Sequence, residues 1–193
     1  MKTWIIVLIL LNVLPAITRA QSRPSDNELK VMSNIEAIKE GRMLPDIRLP
    51  NEHGDTTKLS DFNGQHLFLN FWATWCKPCI EHMDFYKSLS KDYEKKNIKF
   101  VFISIDKDVE AAKRFIAREK IPGIHLLAGG FTTPPVSYFI IRAQWENDKL
   151  TDYDQGIPRY FMVNKERIIT HSDLQNMTEN EIAKVIKNQM RKD

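Results

Sequence analysis

The chain has two cysteines, Cys76 and Cys79, three residues apart, at the point where an apolar run, Leu67 to Trp72, gives way to a helical period. A structural disulfide stabilises most when it closes a long loop, because the cross-link then removes the most freedom from the unfolded chain. A bridge over three residues closes almost nothing, so the spacing makes a poor staple and a good switch. A zinc half-site would need about four ligands. The five histidines, His53, His66, His82, His125 and His171, supply no second closely spaced pair.

A cysteine in the first turn of a helix lies beside unpaired backbone N–H groups and the positive end of the helix dipole, which favours thiolate over thiol. Cys76 is therefore expected to be the attacking sulfur. Cys79, on the same face and deeper, is expected to be the resolving thiol that displaces a substrate from a mixed disulfide. Pro78 fixes φ within the first turn, where its missing N–H costs little, and Lys77 adds a positive charge that favours the Cys76 thiolate. A structural disulfide and a peroxidatic cysteine are the competing readings. Against the second, the pattern Pro-x-x-x-Thr-x-x-Cys is absent, with Leu69 where its Pro would stand.

The elements around this pair alternate. Leu67 to Trp72 reads as a strand covered on both faces, and Lys77 to Lys96 as a helix with Ile80, Met83, Tyr86 and Leu89 on one side, joined by a two-residue turn. Phe100 to Ile105 is a second strand, Val109 to Glu119 a second helix and Ile124 to Leu127 a third strand, an alternation that implies parallel strands with helical crossovers. Arg159 to Val163 and Arg167 to Thr170 form a closing strand pair, and Glu179 to Met190 a last helix behind the capping box that starts at Thr178. Upstream, Asn27 to Glu40 repeats Leu29, Met32, Ile35 and Ile38, a helix capped by Ser25 or Asp26 and stopped by Gly41; Asp46 to Leu49 and Thr56 to Leu59 read as a hairpin. Phe131 to Asp154 reads as an insertion over the sheet edge, with Val136 to Ile141 apolar enough for a strand.

The N-terminus has the layout of a secretory signal: Lys2, an apolar run from Trp4 to Leu14, then Thr18 and Ala20 at positions −3 and −1 of a cleavage point. The run is shorter than the roughly 20 residues that cross a bilayer core, so cleavage after Ala20 is favoured over a retained anchor. No cysteine stands there to take a lipid. Cleavage would remove Lys2 and Arg19, and the formal charge would fall from +3 to +1. Basic residues interleaved with acids leave no electrostatic footprint for nucleic acid. With 42% hydrophobic and 27% charged residues among 193, the chain is large enough for one sizeable core.

Taken together, Leu44-Pro45-Asp46, Leu59-Ser60-Asp61-Phe62-Asn63-Gly64, Asn70-Phe71-Trp72-Ala73-Thr74-Trp75-Cys76-Lys77-Pro78-Cys79 and Gly156-Ile157-Pro158 resemble the thioredoxin superfamily, and within it the exported thiol-disulfide oxidoreductases of TlpA and ResA type. The resemblance runs from about Leu44 to the end. It implies an α/β, thioredoxin-like fold: a central mixed sheet flanked by helices, with an N-terminal extension and an insertion before the cis-Pro strand. The boundaries that follow are a signal peptide over 1–20, a helical extension over 21–43 and the thioredoxin-like domain over 44–193. It also implies that Pro158 is cis and faces the cysteines, that the Ile157 backbone contacts an extended substrate, and that Trp75 is an apolar platform beside Cys76. Trp72 is read as core packing.

The chain departs from the family where proton transfer is managed. Cytosolic thioredoxins place a buried Asp six residues before the first Cys; here that residue is Asn70, which cannot take the Cys79 proton. The TlpA and ResA branch often carries Glu three residues after the second Cys and Pro two further on, and here these are His82 and Asp84. His82, with an ordinary pKa of about 6.5, is a candidate base; a solvated surface histidine is the alternative, and Glu81 is off that face. The resulting expectation is a monomeric, periplasmic or secreted reductase of protein disulfides, fed by a membrane electron donor and needing no cofactor beyond the Cys76–Cys79 pair. A disulfide oxidase of the same fold and a redox-responsive binding module stay open beside it.

Overall fold

The computed structural model describes residues 24–191 apart from 133, 147, 148 and 173. The signal-like segment and its cleavage point lie outside the described residues. Within them the chain opens with α1 (Asp26–Ala37), followed by the hairpin of β1 (Arg48–Pro50) and β2 (Thr56–Lys58). Next come β3 (His66–Trp72), α2 (Lys77–Glu81), α3 (Met83–Asp92), β4 (Ile98–Ser104), α4 (Val109–Glu119) and β5 (Ile124–Leu127). The insertion supplies α5 (Val136–Phe139), β6 (Ile141–Glu146) and β7 (Lys149–Gln155); β8 (Arg159–Val163), β9 (Ile169–His171) and α6 (Glu179–Gln189) complete the fold.

Five strands form the central mixed sheet in the order β5-β4-β3-β8-β9, with β3, β4 and β5 parallel and β8 antiparallel to both of its neighbours, β3 and β9. The strand in the middle, β3, is buried at every position, which is why it lacks a polar alternation. Its Phe68 stacks on Tyr86 of α3 and its Trp72 lies 5.3 Å from Phe115 of α4. Phe71, on the opposite face of the pleat, meets Phe139 of α5 and Phe161 of β8.

Several expectations are corrected. The helix expected over 77–96 is two, because the backbone relaxes to φ −92°, ψ 0° at His82, which ends α2 and caps α3. The turn before it has four residues, Ala73 to Cys76. The stretch Val136 to Ile141 is mostly one helical turn: Val136, Phe139 and Ile140 are buried, a spacing of three and four that suits a helix, and a short apolar run does not by itself distinguish the two. The first helix ends at Ala37 rather than Glu40. Ser25 caps it, with Glu28 closing the capping box. Its buried positions are Val31 and Ile35, followed by Ile38 beyond the last turn, while Leu29 is 42% exposed. Gly41, at φ +82°, then turns the chain so that its N–H donates to the Ile169 carbonyl and the Leu44 N–H to the Arg167 carbonyl just before β9.

The insertion forms a hairpin of its own, β6 against β7, that packs on α1. Val31, Ile35, Ile141 and Leu150 form a second small core there, with Tyr153 at its border. The two parts of the chain that flank the central sheet region therefore cover each other.

Candidate functional site

The end of β3 delivers the chain into the turn Ala73–Cys76, closed by the Cys76 N–H donating to the Ala73 carbonyl at 3.1 Å. Cys76 is the N-cap of α2, and its sulfur accepts from the Cys79 N–H at 3.3 Å. The two sulfurs are joined in a disulfide with 5.3 Å between the Cα atoms. Both cysteines are nearly covered, Cys79 at 2% exposure and Cys76 at 4%, whereas Trp75 beside them is 62% exposed.

Lys77 extends to the Glu81 carboxylate, one turn on at 3.7 Å, and both are exposed. A surface pair of this kind is worth little, and it directs the Lys77 charge along the helix. Asn70 is buried in β3, opposite Phe102 of β4 and Tyr160 of β8. Trp72 is fully buried.

The bond between Ile157 and Pro158 is cis. Pro158, Ile157 and Pro78 line one cleft of about 630 Å³, together with His82, Tyr86 and Tyr160. The far wall of that cleft comes from Ile35 and Lys39 at the end of the first helix and Arg142 and Trp145 of the insertion hairpin. Cis-Pro158, its preceding residue, and the first turn after Cys76 thus share a surface, and the insertion extends it.

Four groups at this site escaped sequence reasoning. Glu179, in the first turn of α6, places its carboxylate 3.2 Å from the His82 Nδ1. The hydroxyl-bearing rings of Tyr86 and Tyr160 pack with centroids 4.8 Å apart and line the same cleft as His82; burial pushes the Tyr160 hydroxyl up to about 12 and Tyr86 higher still, with the neighbouring Tyr160 and Glu179 adding to the rise at Tyr86. Arg142 forms a bidentate pair with Asp154 at 2.7 and 2.8 Å and covers Gly156, two residues before Pro158. Asp106, buried just past β4, bonds Thr74 in the cysteine turn. Only Asp106 carries a signal in the sequence, an acid at the end of the apolar strand Phe100 to Ile105; the others depend on partners far along the chain.

Among the described residues no group of three or more His, Cys, Asp or Glu side chains is placed to hold a metal ion, and no helix is long and apolar enough to cross a membrane.

The Redoxin family pattern matches residues 39–186. The thiol-disulfide oxidoreductase ResA of Bacillus cereus is 33% identical over 84 residues, 44% of this chain and 49% of that protein. The thioredoxin-like protein YneN of Bacillus subtilis is 44% identical over 59 residues, 31% of this chain and 35% of that protein. This chain therefore spans about half the length of its ResA relative. Among solved structures, the thioredoxin domain of a thiol-disulfide oxidoreductase from Bacteroides vulgatus superposes with a TM-score of 0.65 at 16% identity, covering 79% of this chain and 98% of that one. A thioredoxin-family thiol:disulfide interchange protein from Chlorobium tepidum gives 0.61 at 18% identity, covering 79% and 97%. At these identities the superpositions establish the fold.

Proposed function

The chain belongs to the Redoxin family, on the ResA-like side of the thioredoxin superfamily, and from that premise we propose that it exchanges dithiols for disulfides with protein substrates in a compartment outside the cytoplasm. The observation that carries this reading is the Cys76–Cys79 disulfide at the strand-to-helix turn, with cis-Pro158 on the cleft that Pro78 also lines.

In the reductive direction the Cys76 thiolate attacks one sulfur of a substrate disulfide. The substrate S–S bond breaks, a mixed disulfide forms, and the departing substrate thiolate takes a proton. Cys79 then loses its proton and attacks the Cys76 sulfur, closing the Cys76–Cys79 disulfide and releasing the second substrate thiolate. The substrate gains two electrons and the cysteine pair loses two, so an electron-donor protein must reduce the pair again. The N–H of Cys79, aimed at the Cys76 sulfur at 3.3 Å, supports Cys76 as the nucleophile, since a hydrogen bond to the charged form favours it. Ile157 would offer its backbone to an extended substrate and Trp75 its exposed ring. His82 is the proton acceptor for Cys79 in this scheme, oriented by Glu179, because Asn70 cannot fill that role.

Insulin reduction with the wild-type protein and with Cys76→Ser and Cys79→Ser tests the reading. Turnover is expected only in the wild type, with a mixed disulfide trapped by Cys79→Ser. A folded wild type without turnover, whose partner binding survives Cys76→Ser, would make the chain a binding module instead. Direction follows from the reduction potential: a value near the roughly −270 mV of thioredoxin supports a reductase, and one near the roughly −120 mV of DsbA an oxidase.

A further inference from the structure

We propose that Asp106 is the positioning residue of the redox turn, holding Thr74 from the neighbouring strand and thereby setting where the Cys76 sulfur lies against the Cys79 N–H. The proposal rests on the dithiol chemistry assigned above to Cys76 and Cys79.

The register of the sheet brings the two together. Trp72 of β3 lies beside Ser104 of β4, and the parallel ladder continues one step further through the Ile105 N–H donating to the Trp72 carbonyl at 2.9 Å. Past that point the segment after β3 has turned toward the cysteines, while the segment after β4 runs on by one residue from Ile105 to Asp106. Its carboxylate accepts from the Thr74 hydroxyl at 2.7 Å, from the Thr74 N–H at 3.0 and 3.1 Å and from the Ser104 hydroxyl at 2.8 Å. The Asp106 N–H in turn donates to the Ser104 hydroxyl at 3.1 Å.

Asp106 is 3% exposed, and a desolvated carboxylate is costly unless its oxygens are met. Here both are met, and two of the three donor groups belong to one residue of a four-residue turn. A backbone N–H and a side-chain hydroxyl held together leave Thr74 neither rotation nor translation. Thr74 is two residues before Cys76, and the same turn is closed by the Cys76 N–H on the Ala73 carbonyl. Fixing its middle fixes the cap position from which the Cys76 sulfur accepts its hydrogen bond. Asn cannot replace Asp106 in kind: its amide offers one acceptor oxygen and presents donors to Thr74 and Ser104, which are donors themselves.

The test measures, in the reduced protein, the pH dependence of Cys76 alkylation together with kcat and KM for disulfide reduction, in Asp106→Asn, Thr74→Val, Thr74→Ser and the double variant Asp106→Asn/Thr74→Val. Asp106→Asn is expected to lower kcat about ten-fold at nearly unchanged KM and to move the alkylation profile to higher pH. Thr74→Ser, which keeps the hydroxyl, stays near the wild type, while Thr74→Val falls between. The double variant is no slower than Asp106→Asn alone, because both remove one interaction. An unchanged alkylation profile in folded Asp106→Asn, or additive losses in the double variant, would overturn the proposal. Should Asp106→Asn fail to fold, a Thr74→Val profile equal to that of Thr74→Ser overturns it. Alkylation needs no protein substrate, so a wild type inactive on insulin but with these profiles would reject the proposed function and leave the role of Asp106 standing.

Discussion

Arg142 lies across the backbone of Gly156: a Cβ built at Gly156 would stand 2.6 Å from Nη2 of the guanidinium. The same guanidinium is held by Asp154, and the Gly156 N–H donates to the Ile140 carbonyl at 2.9 Å. The base of the insertion hairpin thus grips the chain two residues before cis-Pro158, so the loop expected to meet substrate is held from outside the central sheet.

Gly156→Ala should therefore expel the guanidinium and part it from Asp154. Because that pair is half exposed, the stability cost is about 1 kcal/mol, with a larger effect on KM for a protein disulfide than on unfolding. Arg142→Ala should remove the clash, so the double variant should be no less stable than Arg142→Ala alone. Denaturant midpoints and steady-state kinetics check this; additive stability losses would show that the contact is not the cause.

At alkaline pH the buried tyrosines should limit stability. Burial raises the Tyr160 hydroxyl from an ordinary 10.0 to about 12. Below the lower value both folded and unfolded chains keep the proton. Between the two, the unfolded chain releases it first, so stability falls as pH rises through that window. Tyr160→Phe should flatten the decline in the urea midpoint, and Tyr86→Phe, whose hydroxyl is raised further by burial, should flatten what remains. A decline unchanged in the double variant would assign it to other groups.

The N-terminus of α6 links helix capping to the site. Thr178 accepts from the Glu181 N–H, and the Glu181 carboxylate accepts from the Thr178 N–H and hydroxyl. These bonds lower the Glu181 pKa, so their contribution is full above the ordinary carboxylate pKa and is lost as pH falls from there through the lowered value of the folded state. Thr178→Ala should cost about 1 kcal/mol and loosen Glu179 against His82, seen as a shift in the His82 ring resonances. Resonances unmoved by the substitution would separate the cap from the site.

His82→Gln tests the proton acceptor. Turnover should fall, with the pH dependence of the resolving step altered while alkylation of Cys76 is retained. A pH profile identical to the wild type would leave His82 as a surface residue.

The features legible in the sequence are those settled within a few residues. The cysteine spacing, the apolar run of β3, the capping box at Thr178 and the helix Val109–Glu119 all depend on near neighbours, and the structure has them; for the first helix the sequence offers Ser25 or Asp26 as cap, and the structure selects Ser25. Buried strands alternating with helices imply the parallel part of the sheet, β3, β4 and β5; that the whole sheet is mixed follows in the sequence only from the family resemblance. The split at His82 was hidden, since its apolar positions run on through both helices in one period. What only the tertiary structure decided is which distant polar groups meet. Asp106 reaches Thr74 across 32 positions through the register of two parallel strands, and Glu179 reaches His82 across 97 because the last helix returns to the redox end of the sheet. Local periodicity records burial and helix termini; it holds no record of register between strands or of where a distant helix docks, and these are what bring Asp106 to Thr74 and Glu179 to His82.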